Sequence, residues 1–197
     1  MANLITSIRL SMVFIIVALA LYATPIWQLL NVPLIIIIIA LDGLDGIIAR
    51  FKQEATIFGA TFDIAADRIT EIILWVLLAQ VQVTSIWIAI IFIVRGVLVD
   101  NLRTSSATKD QAPFAIMQTK IGKYLVAGQS MRCTMGLIKL LTFAWLLLML
   151  PLPSLAPQFC YEYSALLHLI SYTLITIIIA VNLLRGIPVI LETIILR

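Results

Sequence analysis

From Leu34 to Leu41 the chain reads LIIIIIAL, and apolar stretches about twenty residues long recur between short turn signals. A helix of that length crosses the roughly 30 Å hydrocarbon core of a bilayer. In lipid every backbone N–H and C=O must be satisfied internally, so such runs read as helices. Of the 197 residues, 62% are hydrophobic and 12% charged. A soluble domain runs near half and a quarter, so the surplus must face lipid. The chain therefore reads as one all-α integral membrane domain over residues 1–197. A net charge of +3 makes no case for a nucleic-acid partner. Cys133 and Cys160 lack metal-ligand spacing and read as incidental. No cleavable leader is evident, so the first apolar stretch is expected to stay as a helix.

Six spans are expected. They cover about 4–23, 33–49, 60–80 and 85–103, then a fifth ending at Pro151, then about 163–184 with a further apolar stretch reaching the C-terminus. The connections at 24–32, 80–86 and 151–164 hold no Lys or Arg. The opposite side holds Arg50 and Lys52, then Arg103, Lys109, Lys120 and Lys123, then Arg185 and Arg197. This alternation predicts six transmembrane helices with both termini cytoplasmic. The polar stretch 104–120 is expected on the cytoplasmic surface. Trp27, Trp87 and Trp145 fit interfacial anchoring. A continuous fifth helix from Lys123 would be about 42 Å long, so it should project from the membrane or break near Gly128 or Gly136.

Charges inside these spans are costly against lipid. Counted from the outer helix ends, Asp42 lies about 14 Å deep, Asp45 about 18 Å, Asp67 about 20 Å and Asp63 about 25 Å. All four fall in the cytoplasmic half. Arg95 and Lys139 lie at about 15 and 18 Å. The shared depth predicts a polar cavity open to the cytoplasm. Asp42 and Asp45 are three apart, Asp63 and Asp67 four apart, so each pair shares a helix face. Four converging carboxylates repel at low dielectric. An all-oxygen set suits Mg²⁺ or Mn²⁺ rather than zinc, and four acids can hold two such ions, an arrangement that serves phosphoryl chemistry. Gly43, Gly46, Ala49 and Gly59 leave room for a nucleotide or pyrophosphate near the backbone. Arg50 can clamp a phosphate. On spacing alone, an ion or proton pathway, or acids matched by buried arginines, remain open.

The order Asp42, Asp45-Gly46, Ala49-Arg50, Gly59, Asp63, Asp67 resembles the signature of the CDP-alcohol phosphotransferases: D-x-x-D-G-x-x-A-R, eight residues, then G-x-x-x-D-x-x-x-D. Every fixed position is present with the right gaps. The resemblance implies a membrane enzyme with its site facing the cytoplasm. There an alcohol attacks a CDP-linked lipid, CMP leaves and a phosphodiester forms. It implies Asp42, Asp45 and Asp63 as metal ligands, with Asp67 as ligand and general base. It also implies that Gly46, Arg50 and Thr56 contact the CDP moiety. Asn3-Leu4-Ile5-Thr6 resembles the "PNLLT" opening that lines the nucleotide site, with Ala2 in place of proline, so Asn3 and Thr6 join that set. Family members resemble homodimers.

The rest of the chain resembles the bacterial phosphatidylglycerophosphate synthases more loosely. Their fourth helix carries an Arg-Glu pair and a second arginine eight positions on; Arg95 and Arg103 match, while Gly96 replaces the glutamate. Of their G-K-x-K-T-x-x-Q, Gly122, Lys123 and Gln129 are kept, and Leu125 and Val126 replace Lys and Thr. Arg95, Arg103, Lys123 and Arg132 form a candidate pocket for an acceptor phosphate, and snorkelling to headgroups is the bland alternative. The expected reaction is transfer of a phosphatidyl group from CDP-diacylglycerol to glycerol 3-phosphate in a bacterial inner membrane. Inositol phosphate is the alternative acceptor. A cation or proton transporter, or a scaffold without catalysis, are the readings of another class. A transport path should carry polar residues into the outer half of the bilayer, and that half is nearly bare beyond Glu71.

Overall fold

The computed structural model describes residues 2–52, 57–106 and 129–195, although the side chains of 2–4, 43–52, 57–58, 60–61, 102–106, 129–130, 132, 189–190 and 192–195 fall outside that description. The described residues are helical nearly throughout. Six helices exceed twenty residues: α1 Ala2–Tyr22, α2 Asn31–Lys52, α3 Ile57–Gln80, α4 Ile86–Ser106, α5 Gln129–Met149 and α6 Ser164–Ile195. Short helical turns at Pro25–Gln28, Leu152–Leu155 and Pro157–Glu162 join α1 to α2 and α5 to α6. Each has proline at its start, where the missing N–H costs no hydrogen bond. Between α3 and α4, Gln82 takes φ 59°, and Val83 and Thr84 return their N–H groups to Leu78 O. That closes the exposed carbonyl end of α3.

Among the described residues, three stretches are long and apolar enough to cross a membrane by length and composition: Ile5–Tyr22, Pro25–Asp42 and Ser164–Pro188. The apolar part of α5, Cys133–Met149, is shorter. Helix α5 runs unbroken through Gly136, so the expected break is not there; Gly128 and the start of the fifth span lie outside the described residues. Helix α6 continues past Leu184 to Ile195 and carries Pro188 within it, longer than the apolar run suggested. Arg185 and Gly186 interrupt hydrophobicity without interrupting the backbone.

The helices close a ring in the order α1, α2, α5, α6, α4, α3 and back to α1. Their outer faces are apolar and exposed, as at Phe14, Ile37, Val94, Leu141 and Leu169. Hydroxyls on those faces return to their own backbone: Ser11 donates to Ser7 O (3.0 Å), Thr173 to Leu169 O (2.7 Å) and Thr176 to Tyr172 O (2.7 Å). A side chain facing hydrocarbon has no other acceptor. Trp27 and Trp87 are exposed, in keeping with interfacial anchoring. Trp145 departs from it, because its indole Nε1 donates to Ser171 Oγ at 2.9 Å, joining α5 to α6.

Inside the ring, one half is apolar and the other polar. Val13, Ile16, Ile35, Ile38, Leu74, Leu78, Leu146 and Ile178 fill the apolar half around Trp75. Trp75 stacks on Phe92 at 4.8 Å and meets Phe143 at 5.0 Å. These three rings come from α3, α4 and α5, so they pin the ring of helices at its middle. Trp75 is fully buried. Trp75→Ala is therefore expected to cost about 3 kcal/mol or more through the cavity it leaves, read as a lower midpoint of thermal unfolding in detergent; an unchanged midpoint would contradict this packing.

Candidate active site

Asp63, Asp67 and Glu71 follow one another at four-residue intervals and form a stripe along α3. Asp42 faces that stripe from α2. Helix α1 packs against both helices, so Arg9 comes down between them. Its Nη1 donates to Asp42 Oδ1 and its Nη2 to Asp63 Oδ1, the latter at 3.2 Å. Arg9 is 1% exposed. A buried guanidinium persists only where carboxylates surround it, because the desolvation penalty is otherwise unmet.

Helix α5 supplies the second cation. Lys139 Nζ lies 3.2 and 3.5 Å from the two oxygens of Asp67 and 3.4 Å from Glu71 Oε1. Arg68 forms the third group, with Nη1 donating to Glu71 Oε2 and Nε to Asp100 Oδ2, both at 2.9 Å. Glu71 is therefore shared by two cations, one from its own helix and one from α5. The pairs form a chain of charges across α1, α2, α3, α4 and α5.

These groups border a cavity of about 350 Å³, within the usual range for a small-ligand site. Its wall includes Asp42, Asp63, Asp67 and Glu71, with Arg9, Arg68, Arg95, Lys139 and Arg185, and Asn182 beside them. Among the described residues, four carboxylates thus meet five cations there. Asn182 is 2% exposed, and its Nδ2 has no hydrogen-bond partner among the described residues. Arg95 Nε is likewise unpartnered. Two glycines make this crowding possible. A Cβ at Gly96 would stand 3.1 Å from Arg68 Cδ, and one at Gly186 would stand 3.0 Å from Arg95 Nε. Each arginine lies across a helix backbone that lacks a side chain.

Of the residues expected from sequence, Asp42, Asp63, Asp67 and Arg95 share this cavity. Thr6 is buried on α1, one turn before Arg9. Gly59 lies on α3 one turn before Asp63. Asn3, Asp45, Gly46, Ala49, Arg50, Arg103 and Arg132 sit on helices whose side chains are outside the description there, and Thr56 and Lys123 lie outside the described residues altogether. Sequence reasoning had put Lys139 at the depth of the polar cavity without a role there, and had not placed Arg9, Glu71, Asn182 or Arg185 in the site. The available signal for these was a polar residue inside an apolar run.

Among the described residues no three acid, histidine or cysteine side chains are grouped tightly enough to enclose a metal ion. The donor chemistry nonetheless fits a hard divalent cation: carboxylate oxygens from two helices reach one cavity, with no thiol or imidazole among the described residues that line it. The CDP-alcohol phosphatidyltransferase family model matches residues 1–181. The chain belongs to that family. No curated protein matches the chain significantly. Family membership brings general CDP-alcohol phosphotransferase chemistry, with CDP-diacylglycerol and a small acceptor as the substrate class, and an association with divalent cations. A CDP-alcohol phosphatidyltransferase must hold a nucleotide diphosphate beside lipid, and here a polar half and an apolar half lie inside one ring of helices.

Proposed function

We propose that the chain is a six-span phosphatidyltransferase of the cytoplasmic membrane that joins CDP-diacylglycerol to glycerol 3-phosphate and releases CMP. The observation that carries this reading is the meeting of Asp42, Asp63 and Asp67 with Arg95 and Arg185 at one cavity, in a chain that matches the family over residues 1–181. Carboxylates suit a cation-bound diphosphate, and guanidinium groups suit the acceptor's phosphate. Six long helices and the Lys/Arg bias of alternate connections support cytoplasmic termini and a cavity opening to that side.

In this reading Asp42, Asp45, Asp63 and Asp67 would hold Mg²⁺ or Mn²⁺, which would supply positive charge to offset that developing on the departing CMP. Asn3, Thr6, Gly46, Ala49, Arg50, Thr56 and Gly59 border the CDP moiety. Arg95 and Arg185, with Arg103, Lys123 and Arg132, receive the acceptor phosphate. Asp67 takes the proton of the acceptor hydroxyl. The oxygen then bonds to the phosphorus nearer the lipid, the bond from that phosphorus to the CMP oxygen breaks, and CMP leaves with the electron pair. Lys139 holds both Asp67 oxygens and so orients the base. The Trp75, Phe92 and Phe143 rings beyond Glu71 favour group transfer over ion passage, since a conduit needs polar groups or water on both sides of the site.

Asp67→Asn is expected to retain CDP-lipid binding while CMP release falls at least about 10²-fold; wild-type turnover in that variant would refute the assigned base. Chelation of divalent cations is expected to stop CMP release, and readdition of Mg²⁺ or Mn²⁺ to restore it; release unaffected by chelator would refute the metal assignment. With soluble alcohols varied, glycerol 3-phosphate should be the preferred acceptor. Arg185→Gln should raise its KM about tenfold or more, the loss of one charge-assisted contact, with the response to CDP-diacylglycerol little changed. Preference for an uncharged alcohol would overturn the acceptor assignment.

A further inference from the structure

Most polar side chains on the cavity wall are charged, and Asn182 is not. It stands one turn of α6 before Arg185 and Gly186 and shares their face. Gly186 is the bare backbone against which Arg95 of α4 lies. Asn182 is therefore one turn removed from both guanidiniums. The other direction along α6 leads toward the base. Trp145 on α5 donates to Ser171 on α6, and these two helices, joined by short turns, run in opposite directions. Counted from that pair, Lys139 stands level with about residue 177 of α6, and Asn182 lies about 7 Å further along. Arg185 is about 4.5 Å beyond Asn182. In height the amide thus falls between the Lys139–Asp67 pair and the guanidiniums.

Asn182 is 2% exposed, and among the described residues its Nδ2 has no partner. A buried donor left unpaired costs stability. A residue that served only to fasten helices would be paired, as Trp145 and Ser171 are. The cavity is the side from which a partner can come. A phosphate there goes to the guanidiniums, whose charge-assisted bonds are the stronger. What suits the neutral amide is a neutral oxygen. We propose that Asn182 is a specificity-determining residue whose Nδ2 donates to the acceptor hydroxyl that does not react, the one between the phosphate and the attacking oxygen. In glycerol 3-phosphate this is the central hydroxyl. The inference rests on the acceptor reading above and adds a second subsite to it, one that reads the alcohol rather than its phosphate. An acceptor without that hydroxyl would fill the same place and leave the buried amide unpaired, which is how such a group discriminates.

The test compares CMP release with two acceptors, glycerol 3-phosphate and 3-hydroxypropyl phosphate, by the purified full-length protein with CDP-diacylglycerol and Mg²⁺ in detergent. The second acceptor keeps the phosphate and the primary hydroxyl and lacks only the central one. Wild type should favour glycerol 3-phosphate by about tenfold or more in kcat/KM. Asn182→Leu, close in volume, should bring the two acceptors within about threefold of each other. Asn182→Ala removes the donor without added bulk and carries the same expectation should the leucine variant fail to fold. Arg185→Gln should weaken both acceptors alike and keep the preference, because it acts on the phosphate they share. A wild type indifferent to the central hydroxyl would overturn the proposal without recourse to any variant. So would a folded Asn182 variant that keeps the full preference. In either case release with glycerol 3-phosphate leaves the enzymatic reading standing. If neither acceptor supports CMP release, the acceptor reading fails and this inference fails with it.

Discussion

Arg9 ties three helices together with one side chain. A guanidinium buried to 1% exposure is tolerable only between carboxylates, and carboxylates at that depth are tolerable only beside cations. Each therefore enforces the other's position. Asp42 on α2 and Asp63 on α3 are held by the same group from α1, which fixes how the two acid-bearing helices face each other. Extended through Lys139 and Arg68, the same logic recruits α5 and α4. Helices that are greasy on the outside gain little from lipid by associating. The ionic chain on the inside gives them a reason to associate in one arrangement.

The six long helices were legible because a run of about twenty apolar residues allows little else. The convergence of Asp42, Asp63 and Asp67 was legible because helical spacing fixes which residues share a face. Arg9, Asn182 and Arg185 were not, and the reason is topological. Arg9 meets partners 33 and 54 residues away, and Lys139 meets Asp67 across 72. Periodicity along one helix says nothing about which helix stands opposite. The closed order α1, α2, α5, α6, α4, α3 brings the last helix beside the fourth, and only that order puts Arg185 and Asn182 on the cavity wall. The helix ends were blurred for a local reason: α6 continues through Arg185, Gly186 and Pro188, residues that weaken hydropathy without breaking the hydrogen-bond ladder.

Gly96 shows how closely two helices can meet over one side chain. A Cβ there would stand 3.1 Å from Arg68 Cδ, so a larger residue at 96 would require the Arg68 side chain to shift by a few tenths of an ångström. Asp100, one turn further along α4, accepts from Arg68 Nε at 2.9 Å. The bare backbone at 96 and the acid at 100 together seat Arg68 of α3 against α4.

Gly96 and Gly186 lie under Arg68 and Arg95 respectively, so both arginines rest on bare backbone from facing helices. Arg68 is committed to Glu71 and Asp100. Among the described residues Arg95 Nε has no partner, and the buried amide of Asn182 on the same cavity wall leaves its Nδ2 donor unused. Unsatisfied donors at that depth carry a desolvation cost that an anionic ligand would relieve. The asymmetry between Arg68, held by two carboxylates, and Arg95 thus divides the cavity: its lining carboxylates lie on α2 and α3, and two donors without a partner among the described residues, Arg95 Nε and Asn182 Nδ2, lie on α4 and α6. A substrate that brings a cation-bound diphosphate to the first and a phosphate to the second would satisfy both.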